Sequence, residues 1–358
     1  MTDALSFLRA EIGQLQSYSV ADATGLIKLD AMENPYSLPA EVKDKWLQCL
    51  KSAQVNRYPE PEPAILNNKL RQRFGPRDES SGLLFGNGSD ELIQLLVMAI
   101  AKPGASILTV APSFSMYSMI GDIIGVTTHL VPLDQDYELD CAAMLKAIEE
   151  HNPAVIFLAY PNNPTGNLWK RGDIEKILSV SQGFVVVDEA YGPFASDSFV
   201  NDLATHDNLL LLRTASKLGL AGIRFGWLTG NAGVIAELNK LRLPYNINQL
   251  TQLTLEFALD NYSLFAEQAQ AICQSRNSLS ASLSAMAGIR VFPSAANFIL
   301  IKVLELDASR VFASLFEQKI LIKNLSQQPG LGQCLRITVG TEDENQQCLA
   351  ALEQALNQ

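Results

Sequence analysis

Between about residue 82 and residue 230 the chain alternates short apolar runs with helix-period segments: "GLLFG", "DELIQLLVMAIA", "ASILTVA", "FSMYSMIGDIIG", "THLVPL", "DCAAMLKAIEE", "AVIFLAY", "DIEKILSVSQ" and "FVVVDEA". A helix returning the chain between two strands leaves those strands pointing the same way, so this order predicts βα units and a mostly parallel sheet. Runs such as "AVIFL" and "FVVV" lack alternate polar residues. Both faces of such strands are expected under helices.

From about residue 231 the pattern changes. Long helices are predicted over "AGVIAELNKLR" and "SLFAEQAQAICQSRNSLSASLSAM", then strands over "IRVFPS" and "NFILIKV", a helix over "SRVFASLFEQK", a strand over "CLRITVG" and a final helix. This reads as a second, smaller α/β unit joined by the N-terminal segment. The expected division is a large unit over 45–255 and a small one made of 1–44 and 256–358. A chain of 358 residues suits two such units better than one core.

Charge and cysteine usage exclude some functions. The net charge is -11 with scattered basic residues, which disfavours binding to a phosphate backbone, so no nucleic-acid partner is expected. The five cysteines are far apart and include no CxxC pair. Neither a disulfide framework nor a metal site is predicted. "MTDALSFLRAEIGQ" has acids where a secretion signal has bases, and "LIQLLVMAIA" is too short to span a bilayer. The expectation is a cytoplasmic protein with no membrane partner.

In open α/β sheets ligands bind beyond the C-terminal ends of the strands. Three apolar runs end in chemically suggestive residues there: "AVIFLAY" in "PNNPTG", "FVVV" in "DEAY" and "LLLLRT" in "ASK". Asp188 and Glu189 after "FVVV" also fit a nucleotide hydrolase, but that reading needs a GxxxxGK[ST] loop, and the chain has none. With Lys217, Tyr191 and Asn163 nearby in this pattern, Asp188 instead suits a buried carboxylate facing the ring nitrogen of an electron-sink cofactor. "GNGSDELIQ" places Gly86, Gly88, Ser89 and Asp90 ahead of an apolar helix. That is either an ordinary turn and cap or a phosphate cradle of free N–H groups. Arg224, across "LGLAGI" from Lys217, would give such a phosphate a fixed cation and would lower the proton affinity of the lysine. A lysine left neutral in this way can attack a carbonyl.

Together these motifs resemble the fold type I pyridoxal-phosphate enzymes, most closely the histidinol-phosphate aminotransferases. The pieces are "LDAMENPY", "RYPEPEP", "GNGSDELI", "APSFSMYS", "PNNPTG", "VVVDEAY", "RTASKLGLAGIRFGW", "NFIL" and "CLRITVGT", in family order from about residue 28 to residue 341. The resemblance implies a mostly parallel seven-stranded sheet sandwiched by helices, plus a smaller α/β domain. It implies pyridoxal 5'-phosphate as cofactor, held as a Schiff base on Lys217, which also shuttles the proton. Asp188 would pair with the ring nitrogen, Asn163 and Tyr191 with the phenolic oxygen, and Phe114 would stack on the ring. Gly88, Ser89, Asp90, Thr214, Ser216 and Arg224 would hold the phosphate. Tyr58 would reach in from the second subunit of a homodimer. Arg336 would grip the carboxylate of glutamate or 2-oxoglutarate, Lys323 the distal anion, and Tyr18 and Asn34 would line the substrate pocket.

Three departures from the family pattern stand out. The loop from Lys217 to Arg224 is one residue shorter than in many members, Met32 replaces a common asparagine, and Lys323 stands where some members have arginine. The activity implied is transfer of an amino group between L-histidinol phosphate and 2-oxoglutarate in histidine biosynthesis. The alternatives are an aromatic or other amino-acid aminotransferase, a threonine-phosphate decarboxylase of the same fold, or a non-enzymatic binding protein or regulator on this scaffold.

Overall fold

The computed structural model describes residues 4–9, 12–13, 15, 20–75 and 80–357. After strand β1 (Ile27–Leu29) and helices α1 (Ala40–Leu50) and α2 (Ala64–Phe74), the chain enters the alternating region. There β2 (Ser81–Gly86), β3 (Ser106–Ala111), β4 (Thr127–Pro132), β5 (Val155–Ala159) and β6 (Phe184–Asp188) alternate with α3 (Ser89–Ile100), α4 (Met116–Ile124), α5 (Cys141–His151) and α6 (Arg171–Val180). Strands β7 (Leu209–Thr214) and β8 (Gly226–Asn231) complete a seven-stranded sheet of order β2-β8-β7-β6-β5-β3-β4. Every pairing in it is parallel except those of β8, which runs antiparallel to both β2 and β7.

The absence of polar alternation in the inner strands has the expected consequence. Val155 and Phe157 of β5 pack into one core with Leu92, Leu96 and Tyr117, while Ile156 and Leu158 face the opposite core with Met144, Ile174 and Ile177. Both faces of the sheet are therefore covered, and apolar burial on two sides fixes its position.

The remaining helices are α7 (Ala232–Asn239), α8 (Gln249–Asp260) and α9 (Tyr262–Ser284), followed by β9 (Ile289–Val291), β10 (Phe298–Val303), α10 (Ala308–Glu317), β11 (Ile320–Asn324), β12 (Cys334–Thr338) and α11 (Glu342–Leu356). Helix α7 is shorter than the pattern predicts. It ends at Asn239, after which the Lys240, Leu241 and Arg242 N–H groups bond three residues back to the Glu237, Leu238 and Asn239 carbonyls, so the chain tightens out of the α-helix ahead of Pro244. A second sheet has the order β1-β11-β12-β10-β9, and the N-terminal segment joins it through parallel pairing of Ile27 with Ile320. Residues 44 and 255, where the sequence places the unit boundaries, lie inside α1 and α8. The core under this second sheet, with Ile299, Ile301, Val311 and Leu352, runs on to Tyr191 and Phe194, which follow β6. That continuity places β12 beside the C-terminal edge of the large sheet. Among the described residues no helix is long and apolar enough to cross a membrane.

Candidate active site

The parallel register aligns Ala159 of β5 with Asp188 of β6, and Asp188 with Leu212 of β7, so the segments leaving these strands meet at one edge. Asp188 is buried there. Its Oδ2 accepts a bond from the Tyr117 hydroxyl at 2.7 Å, and its Oδ1 accepts one from the Ala190 N–H at 3.0 Å. Burial pushes the carboxyl up to about 6, against the pull of both hydrogen bonds. Among the described residues no cation lies within ion-pairing distance of it.

Lys217 follows β7 in a short 3-10 turn, Ser216–Leu218, ended by Gly219 with φ +96°. Its Nζ sits 5.5 Å from the centre of the Tyr191 ring. Enclosure, and next the charge of Arg336, pull this amine down to about 8, with Glu33 and Asp90 opposing. The Tyr191 hydroxyl accepts from Asn163 Nδ2 at 3.1 Å and donates to Met32 Sδ at 3.3 Å. Asn163 Oδ1 in turn accepts from Arg336 Nη1 at 2.6 Å, while Arg336 Nη2 donates to the Asp30 carbonyl at 2.9 Å. The amine thus faces a connected polar row that ends in a buried arginine.

At the other end, α3 begins at Ser89 behind Gly88, whose φ of +88° and ψ of 167° suit glycine alone. No side chain caps this helix, so its first N–H groups remain available to an anion. Arg224, itself left-handed at φ +51°, brings Nη2 to 3.4 Å from Asp90 Oδ2. It also passes so close to Gly88 that a β-carbon there would lie 2.7 Å from the guanidinium. Thr214 Oγ1 accepts from the Ser216 N–H at 3.1 Å, lies 2.9 Å from the Ser216 hydroxyl and donates to the Phe225 carbonyl.

One cavity of about 240 Å³ gathers Ser89, Asp90, Phe114, Asn163, Asp188, Tyr191, Thr214, Ser216, Lys217 and Arg224. Gly88 and Arg336 join it through Arg224 and Asn163. A larger hollow of about 880 Å³, lined by Arg73, Glu189, Arg213 and Tyr262 among others, lies on the side of α2 and α9 and lacks Lys217. Its Arg213 is already paired with Glu189 at 2.7 Å. The smaller cavity is therefore the candidate site.

Several predicted residues lie elsewhere. Tyr58 is 80% exposed and stacks on Tyr245 with ring centres 4.6 Å apart, away from the cavity of its own chain. Lys323 of β11 pairs directly with Arg336 of β12, which puts both on one face of the small sheet, but it does not line the cavity. Asn34 also stands outside the lining. Its Oδ1 accepts from the Tyr36 N–H, and its Nδ2 donates to Gln268 at 3.0 Å and to the Leu218 carbonyl at 3.4 Å, so it steadies the turn that carries Lys217. Tyr18 falls outside the described residues. The lining adds Ala31, Met32 and Glu33. Tyr117, the donor to Asp188, is the residue sequence reasoning passed over. Its signal is the spacing Phe114–Tyr117, which sets two aromatic rings on one turn.

An enclosed amine, a buried carboxylate and an uncapped helix N-terminus along the C-terminal edge of this sheet define a fold type I pyridoxal-phosphate enzyme. More narrowly, the chain belongs to the aminotransferase class I and II family, whose model matches residues 24–352. It is 49% identical over 348 residues to histidinol-phosphate aminotransferase 2 of Nitrosococcus oceani, covering 97% of this chain and 96% of that one. It is 46% identical over 358 residues to histidinol-phosphate aminotransferase 1 of Burkholderia lata, covering 99% of each. The fold superimposes with a TM-score of 0.87 on the histidinol-phosphate aminotransferase of Sinorhizobium meliloti in complex with pyridoxal-5'-phosphate, at 22% identity and covering 100% of this chain and 99% of that one.

Proposed function

We propose that the protein transfers the amino group between L-histidinol phosphate and 2-oxoglutarate, in histidine biosynthesis in the cytoplasm, with pyridoxal phosphate carried on Lys217. The observation that carries this reading is the cavity itself, which sets one amine of lowered proton affinity, one buried carboxylate and one anion cradle within a single enclosure. The relatives from Nitrosococcus oceani and Burkholderia lata support the choice of substrate.

The residues present fit the cofactor. Gly88 lets the Arg224 guanidinium lie against the start of α3, where a β-carbon would stand 2.7 Å from it, and among the described residues no cation is within ion-pairing distance of the buried Asp188. When bound, pyridoxal phosphate supplies an aldehyde that captures the substrate amine and a ring that receives the electron pair released at Cα. The N–H groups of Ser89 and Asp90, the hydroxyls of Thr214 and Ser216, and Arg224 hold the phosphate. Asp188 keeps the ring nitrogen protonated, Asn163 and Tyr191 hold the phenolic oxygen, and Phe114 covers the ring. Lys217, with an amine near 8, takes and returns the proton at substrate Cα near neutral pH. Arg336 binds the α-carboxylate of glutamate, Lys323 takes the distal anion, and Asn34 and Tyr18 shape the substrate side. Tyr58, exposed on its own subunit, completes the site of its partner in a homodimer.

The test uses purified protein loaded with cofactor. Amine transfer to 2-oxoglutarate is measured from histidinol phosphate, phenylalanine, tyrosine and threonine phosphate. The highest kcat/KM is expected for histidinol phosphate. Release of carbon dioxide from threonine phosphate without an acceptor would replace this reading with a decarboxylase.

A further inference from the structure

Tyr117 is fully buried in α4, outside the cavity lining. Its ring stacks on Phe157 of β5, with centres 4.7 Å apart and planes 7° from parallel, and meets Phe114 edge-on at 5.5 Å. Two fixed aromatic contacts leave the hydroxyl one direction to point, and it points at Asp188 Oδ2, 2.7 Å away. Core packing alone would be satisfied by phenylalanine, so the oxygen needs a separate reason. A buried hydroxyl without a partner is costly, and this one is spent wholly on a carboxylate.

The surroundings give that reason. The ionisable groups acting on Asp188 are Asp90 at the start of α3 and Glu189 at the end of β6, both acids, together with the Tyr117 phenol itself. The lining also carries Glu33, Tyr191 and the two cations Lys217 and Arg224; Arg224 is turned to Asp90, and among the described residues neither cation is within ion-pairing distance of Asp188. A carboxylate buried this deeply, with Asp90 and Glu189 adding to the effect, takes up a proton unless donors oppose it. Here the donors are two, the Ala190 N–H on Oδ1 and the Tyr117 O–H on Oδ2. Burial and the adjacent acid push the Tyr117 phenol well above its ordinary range, so it remains a donor throughout the working pH range.

We infer that Tyr117 is a positioning residue for the reaction: its hydroxyl holds Asp188 in orientation and in the ionised form, and through Asp188 it keeps the cofactor ring nitrogen protonated. This rests on the reading of Asp188 as the partner of that nitrogen. No group is transferred by Tyr117. Its proton stays on the phenol, and the carboxylate proton equilibrium shifts toward the ring.

Tyr117→Phe removes one oxygen and keeps the ring stack on Phe157. In the cofactor-free protein, the Asp188 carboxyl is followed by carbon NMR against pH, and its midpoint is expected to rise by about one pH unit, the shift a single charge-assisted bond supports. In the loaded protein, the pH midpoint of the bound cofactor's visible absorption is expected to rise as well, because a ring nitrogen that shares its proton with a more basic carboxylate carries less positive charge. The kcat should fall about tenfold with a much smaller change in KM, the sign of an interaction made mainly in the transition state. A merely structural hydroxyl would lower the melting temperature and leave both midpoints in place. An unmoved Asp188 midpoint in the cofactor-free variant overturns the inference whatever happens to turnover. If that midpoint moves but Asp188→Asn leaves the cofactor absorption and its pH midpoint unchanged, the assignment of Asp188 to the ring nitrogen fails and the inference falls with it.

Discussion

Lys217 opposes the fold that holds it. An amine with a folded-state value near 8, against an ordinary 10.5, is harder to protonate in the folded chain than in the unfolded one. The resulting cost is absent above pH 10.5, grows as the pH falls toward 8 and stays constant below that. Its full size is about 2 to 3 kcal/mol, allowing for partial exposure of the residue. Lys217→Met in the cofactor-free protein should therefore raise stability at pH 7, with the gain shrinking as the pH approaches 10.5. Denaturant unfolding at a series of pH values measures both. A gain that persists unchanged at high pH would point to better packing by methionine and away from the buried amine. Gly88 makes the opposite case. Its backbone angles and the guanidinium 2.7 Å from a would-be β-carbon leave no room for a side chain. Gly88→Ala should cost about 1 to 3 kcal/mol and weaken cofactor binding at least tenfold in a spectroscopic titration, because Arg224 must move off the cradle.

Among the elements, the ends of β6 and β7 are joined by a buried ion pair. Glu189 Oε2 accepts from Arg213 Nε at 2.9 Å and Nη2 at 2.7 Å, while its Oε1 accepts from the Phe199 N–H. Arg213→Ala strands that carboxylate in the interior and should cost about 3 to 5 kcal/mol. Adding Glu189→Leu should recover part of the loss, so the two single losses exceed the double one. Denaturant unfolding of the three variants measures the coupling. The same strands explain what the sequence makes legible. β5 and β6 are uninterrupted apolar runs because both of their faces are buried, so the parallel sheet and its site edge can be read directly. β8 cannot be read that way, because "GWLTGN" has glycine at two positions where neighbouring atoms come too close for a β-carbon, Ser89 N at Gly226 and Leu210 at Gly230. A glycine placed for close approach looks like a turn in a bare sequence. Tyr117 is hidden for a related reason. An aromatic on the apolar face of a helix looks like core, and the hydrogen bond that distinguishes it runs to a residue far along the chain. Asn34 lies in a motif of the family, and only the contacts reveal that its amide is committed to Gln268 and the Leu218 carbonyl.

For the whole molecule, the open question is how many chains make one site. Tyr58 is 80% exposed and outside the cavity lining of its own chain, and its only ring partner among the described residues is Tyr245. If it serves a neighbour, mixing inactive Lys217→Ala with weakened Tyr58→Phe and refolding the two together should yield hybrid dimers with one fully native site. Activity above that of either parent is expected, and light scattering should report a dimer. A fully active monomer would return Tyr58 to the surface.

The antiparallel placement of β8 also bears on how the fold is kept. β7 and β8 are joined by the short stretch that carries Lys217 and Arg224, so they can zip together early and locally. β2 must instead find β8 from far away in the chain, pairing Gly86 with Gly226, and only then does the start of α3 come to rest against Arg224. The anion cradle thus straddles a seam between the most local and the most distant pairing in the sheet. A phosphate bound there is a rivet across the seam as well as an anchor for a reagent. Hydrogen exchange with and without cofactor should show it: the amides of β2 and β8 gain more protection than those of β5 and β6, whose burial already holds them closed.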